Sequence, residues 1–150
     1  MAKFTYHMQN ILDIKCKLET QAKSAFAQAN MRLRREEDRL QTLKSRKMIY
    51  EIKAKTLMKD RLNVPEIKRN RQAIDTMERA ILMQVKVLAS AQKEVDEARN
   101  RLKEIMIDRK THEKLKEKEF EEFLFELGQE ENKQVDELVS YQFHAKPNES

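Results

Sequence analysis

Two runs of apolar residues, each stepping alternately four and three along the chain, are separated by one break that carries Pro65. The first passes through Ala22, Phe26, Ala29, Leu33, Glu36, Leu40, Leu43, Lys47, Tyr50, Ala54 and Leu57, nine of eleven being apolar. The second passes through Ile67, Asn70, Ile74, Met77, Ile81, Gln84, Leu88, Ala91, Val95, Ala98, Leu102 and Ile105, ten of twelve apolar. A 3.5-residue repeat held this long specifies helices that supercoil with a partner and not a globular core.

The break supplies the partner. Pro65 lacks an N–H and is tolerated only in a first helical turn. Asn63, with Glu66 three residues on, forms the pattern of a capping box at a helix start. Two helices joined by so short a loop pack antiparallel. The expected fold is therefore all-α: one antiparallel coiled-coil hairpin spanning 1–150. Helix one is expected over about 5–60, the turn over 61–63, helix two over 64–142, and a frayed tail over 143–150. The ladders interlock when paired residue numbers total 124, which sets Leu33 against Ala91, Ala29 against Val95 and Tyr50 beside Ile74. Large then faces small in most layers, as knobs in holes require. Four seam positions are polar. Register specification is the expected role of Glu36, Lys47, Asn70 and Gln84, with Glu36 and Lys47 snorkelling to solvent.

Composition closes off most other classes. One Gly, two Pro and no Trp leave little material for strands or binding loops, and 38% charged with 39% hydrophobic residues suits a long helical coil. The expectation is a rod of roughly 80 Å without a pocket-forming core. No apolar run approaches the ~20 residues that span a bilayer, and because Met1-Ala2-Lys3-Phe4 opens directly into amphipathic sequence, no secretion signal is expected. A lone Cys16 fits a reducing cytoplasm.

Chemistry finds no foothold. His7, His112 and His144 are far apart, Cys16 has no neighbouring base, and Gly128 alone cannot make a phosphate loop. No enzyme, catalytic residue, metal site, cofactor or small-molecule substrate is expected. The net charge of +5 conceals an acidic stretch over 117–137, where nine carboxylates meet only Lys118 and Lys133. The basic remainder could be drawn to acidic protein, anionic lipid or nucleic acid. Nucleic acid is disfavoured, because no aromatic residues are interleaved with the cations. After Ile105 the clean ladder is expected to stop. Leu115, Phe120, Phe123, Leu124 and Leu127 then resume it in a shifted phase, with Lys110 opposite Ile14 and Lys116 opposite Met8. Phe120, Phe123, Phe125 and Leu127 would form an apolar patch, covered by Phe4, Tyr6 and Ile11 or open to a partner.

Three segments together resemble the flagellar export protein family FliJ. They are Phe4-Thr5-Tyr6-His7-Met8-Gln9-Asn10-Ile11-Leu12, Arg109-Lys110-Thr111-His112-Glu113-Lys114-Leu115-Lys116-Glu117-Lys118, and Glu130-Glu131-Asn132-Lys133-Gln134-Val135-Asp136-Glu137. The resemblance implies a coil similar to the γ stalk of rotary ATPases, inserted in the hexameric export ATPase FliI. It also implies contact with the export gate protein FlhA and escort of export chaperones. Its place would be the cytoplasm, held through partners at the membrane face of the flagellar base. On this analogy Arg109, Glu113, Lys114, Lys118, Glu131 and Asp136 are candidates for the ATPase contact, and Leu43, Tyr50, Met77 and Ala80 for the gate contact. Leu43, Tyr50 and Met77 are also seam positions, so a packing role competes. Two alternatives stand beside this reading: the equivalent stalk of a virulence-type secretion system, and a structural coiled-coil scaffold.

Overall fold

The computed structural model describes residues 3–59 and 61–145, with side-chain surroundings through 142. It contains two helices, α1 (Gln9–Leu57) and α2 (Val64–Ala145), paired as an antiparallel helical hairpin. Contacts group the chain into two compact units. The turn-side unit comprises Thr20–Glu104, and the terminal unit comprises Met1–Glu19 with Ile105–Ser150.

In the turn-side unit the heptads do what their period demands. Ala22, Leu40, Ala91 and Val95 are buried, Ala91 completely and Val95 to within 1% of its surface. Leu33, Leu43, Ile74, Met77, Ile81 and Leu88 are half-buried, because a two-helix seam covers only one stripe of each helix. Ala91 and Val95 are the most enclosed, as expected where bulky side chains from the other helix close over them. Cross-helix ion pairs flank the seam. Arg32 Nη1 meets Glu94 Oε1 at 2.5 Å, and Lys47 Nζ lies 3.5 Å from Glu78 Oε1. The Arg99 guanidinium stands 5.8 Å from the Phe26 ring centroid, close enough for a cation–π contact.

The turn follows the capping logic. The Glu66 N–H reaches Asn63 Oδ1 at 3.4 Å, and the Ile67 N–H donates to the Asn63 carbonyl at 3.0 Å, so Val64 is the first helical residue and Pro65 the second. Here the missing proline N–H is one of the donors that a helix start leaves free in any case.

One of the seam polar residues behaves differently from expectation. Glu36 does not snorkel: it is buried, and its Oε2 accepts from Gln84 Nε2 at 2.6 Å, while Arg39 Nη1 meets Oε1 at 3.1 Å. Gln84 Nε2 also reaches the Glu36 carbonyl at 2.9 Å. The carboxylate stays inside because these donors replace its water. Asn70, also buried, donates from Nδ2 to the Tyr50 carbonyl at 3.0 Å.

In the terminal unit, α1 opens at Gln9, inside the expected start at 5. Residues 3–6 run without helix, and the Gln9 N–H turns back to the Tyr6 carbonyl at 3.1 Å. Burying Tyr6 and packing Phe4 against Phe120 outweigh four more residues of helix at a fraying end. At the other end α2 continues to Ala145, into the segment expected to fray. Residues 146–150, the rest of that expected tail, lie outside the described residues.

Candidate functional site

Seam burial in the terminal unit keeps its phase, which corrects the expected shift. From Ile105 the same step of four and three runs through Arg109, His112, Lys116, Glu119 and Phe123, all half-buried. On the other arm of the hairpin it runs from Met8, just before α1, through Leu12, Lys15 and Glu19, of which Leu12 and Glu19 are buried. Leu115, Phe120 and Leu124, which hydropathy put in the seam, are instead exposed. As far as Phe123 the ladder does not shift, and most of its occupants on α2 become polar; beyond it Leu127, half-buried, leaves the step as expected while Glu126 is exposed. Long charged side chains pack their methylene stems in a seam while their heads find partners at its edge.

Those partners are specific. Arg109 forms an ion pair through Nε with the Glu19 carboxylate and extends Nη1 to Glu113 Oε1 at 2.8 Å. Hydrogen bonds to Glu113 and Glu19 raise the guanidinium's pKa further above its ordinary range. Lys15 Nζ meets Asp108 Oδ2 at 2.7 Å, and His112 Nε2 lies 3.7 Å from Asp108 Oδ1. The Lys15 hydrogen bond holds the Asp108 carboxyl below the usual carboxylate range, against a smaller opposing effect of desolvation. His7 Nδ1 stands 3.2 Å from Glu119 Oε2. The expected pairing of Lys110 with Ile14 is not formed, since both are exposed; Asp108 and Lys15 meet in its place.

Beside this seam lies an open groove of about 750 Å³. Phe4, Leu12 and Phe120 give it an apolar floor, and Lys110, Glu113, Lys114, Lys116 and Glu117 line it. Phe4 covers Phe120 at 5.1 Å and Phe123 at 5.5 Å between ring centroids, as the sequence suggested, whereas Ile11 and Phe125 remain exposed. The structure thus brings Glu113 and Lys114 together on the groove and turns Arg109 into the seam, where only 17% of its side chain is exposed. Lys118 is exposed, and so are Glu131 and Asp136, on a stretch of α2 exposed at every position from 129 to 142.

Leu43, Tyr50, Met77 and Ala80 in the turn-side unit are each half-buried. Tyr50 borders a recess with Lys53, Glu66, Arg69, Asn70 and Ala73. Sequence reasoning overlooked the outward apolar residues of this unit, among them Met48, Ile49, Ile52, Leu82 and Met83. The signal that could have found them is apolar character off the heptad seam. Among the described residues no group of three His, Cys, Asp or Glu could hold a metal ion, and no helix is long and apolar enough to cross a membrane.

The family described as flagellar FliJ protein matches residues 4–148 of the chain. Among solved structures, the chain is similar to CT670 from Chlamydia trachomatis, described as a YscO homologue. The TM-score is 0.68 at 19% identity, covering 95% of this chain and 98% of that one. At that identity the likeness bears on the fold. No curated protein matches.

Proposed function

The chain belongs to the flagellar FliJ family, and from that premise we propose that it is a non-enzymatic stalk and adaptor of the flagellar type III export apparatus. Its terminal unit docks in the hexameric export ATPase, its turn-side unit meets the export gate, and export chaperones use it as an escort. It works in the cytoplasm, at the membrane face of the flagellar base, and is held there through partners.

The observation that carries this reading is the family match over nearly the whole chain, taken with the paired charges of the terminal unit. Glu113 and Lys114 sit on an open groove with an aromatic floor, and Lys118 is exposed one turn further along α2. Charged, weakly desolvated side chains suit a contact that must be made and released repeatedly, because rim charges govern encounter and orientation more than tight holding. Arg109 acts from behind: tied to Glu19 and Glu113, it fixes where the Glu113 carboxylate points. Leu43 and Met77 serve packing first, while Tyr50 offers its ring edge to the gate.

The test is co-elution of the full chain with the purified export ATPase of the same organism. Replacing Lys114 and Lys118 together by Glu should weaken the complex by roughly tenfold at low salt. No co-elution of the unaltered chain would put the scaffold reading in front.

A further inference from the structure

The hairpin turn carries more apolar surface than a turn requires. Met58, Leu62 and Val64 are exposed to 66%, 68% and 66% of their surface. Reversal of the chain needs only Asn63, Pro65 and Glu66, and turns are ordinarily built from polar residues and glycine. Met58 borders a recess with Leu57, Ile67 and Ile74 at the seam's end, yet it too leaves most of its surface in water.

A belt of cations surrounds them. Residues 53–71 contain seven Lys or Arg against two acidic residues, Asp60 and Glu66. Lys55, Lys59, Arg61, Lys68 and Arg71 are exposed. Glu66 is already engaged, by Lys53 at 3.9 Å and by Asn63. The turn-side unit as a whole has 21 basic residues against 12 acidic ones, a balance of +9.

We propose that this turn is a docking tip for an anionic lipid surface, with Met58, Leu62 and Val64 entering the headgroup–acyl boundary while the surrounding Lys and Arg hold lipid phosphates. Such a surface satisfies both halves of the tip. Aliphatic side chains gain by leaving water for the acyl boundary, and cations gain from the negative potential of the leaflet. A nucleic acid would engage the cations and leave the aliphatic residues wet, since Met, Leu and Val offer no ring on which a base stacks. This inference stands independently of the ATPase contact, which belongs to the terminal unit.

The experiment is co-sedimentation of the full chain with vesicles of one part phosphatidylglycerol to two parts phosphatidylcholine, beside vesicles of phosphatidylcholine alone. Binding is expected to the anionic vesicles only and to fall with salt. Lys59→Ala with Arg61→Ala should weaken it about 25-fold, at about fivefold per cation. The triple variant Met58→Ser, Leu62→Ser, Val64→Ser should weaken it roughly tenfold or more with its charge unchanged. Met31→Ser, exposed elsewhere in the same unit, should leave it unaltered. Circular dichroism melting of each variant establishes that the hairpin is intact. Equal binding to neutral vesicles, no binding to either, or indifference to the triple variant would overturn the proposal. So would duplex DNA binding that outcompetes the vesicles and ignores the serine substitutions.

Discussion

Arg109 lies in a seam position that a coiled coil ordinarily gives to Leu or Ile, and its partner Glu19 is buried. Removing one partner deprives the other enclosed charge of its ion pair across the seam, whereas replacing both with apolar residues of similar volume is often neutral or stabilising. Arg109→Met alone should therefore lower the melting temperature, and Glu19→Met in the same chain should restore it. Urea or thermal melts of the two single variants and the double variant measure this directly. Asp108 offers a second test. Its folded carboxyl is held low by Lys15, so its contribution to stability is full above the unfolded value near pH 4. That contribution is lost as pH falls through the depressed folded value. Asp108→Asn should accordingly lower stability at neutral pH and flatten its decline on acidification below about pH 4. In the turn-side unit, Gln84→Leu removes the shortest hydrogen bond to the buried Glu36. A cost of about 1–3 kcal/mol is expected, from equilibrium unfolding. Glu36 also marks what sequence reading could not see: a carboxylate on a ladder looks like a side chain bound for water until the residue that bonds it across the seam is known.

At the level of whole helices, most of the turn-side unit was legible. The 3.5-residue step selected the buried faces, and the Asn63–Glu66 pattern placed the start of α2 at Val64. Both are local signals that tertiary context reinforces. The terminal unit was harder because its seam keeps the spacing of a coil and abandons the hydropathy. Arg109, His112, Lys116 and Glu119 continue the step, yet a search for apolar periodicity follows Leu115, Phe120 and Leu124 instead. Tyr6 and Phe4 defeated the helix-start expectation for a related reason: packing of aromatic rings is invisible to helix propensity. Helix stability should reflect this contrast. Isolated helix in water is marginal, and α2 is exposed at every position from 129 to 142. Amide exchange should be fast there and slowest around Ala91 and Val95, where the seam is fully closed. Equal protection in the two stretches would require a cover for the end of α2.

Across the whole molecule, charge is divided unevenly: +9 in the turn-side unit, and 10 basic against 14 acidic residues, a balance of −4, in the terminal unit. Such a division favours different partners for different units, because the sign of the local field selects what approaches. On the proposed function the export ATPase falls to the terminal unit, and the gate and membrane side to the other. Family membership brings the chain to the export apparatus, and the groove bearing Glu113 and Lys114 is the surface proposed for that contact. The most direct test is ATP turnover by the purified flagellar export ATPase of the same organism, measured alone, with the full chain, and with a chain carrying Glu113→Lys and Lys114→Glu. Turnover should rise with the unaltered chain, and most of the increase should be lost with the altered one. Turnover that ignores the unaltered chain, or rises equally with both, would contradict it.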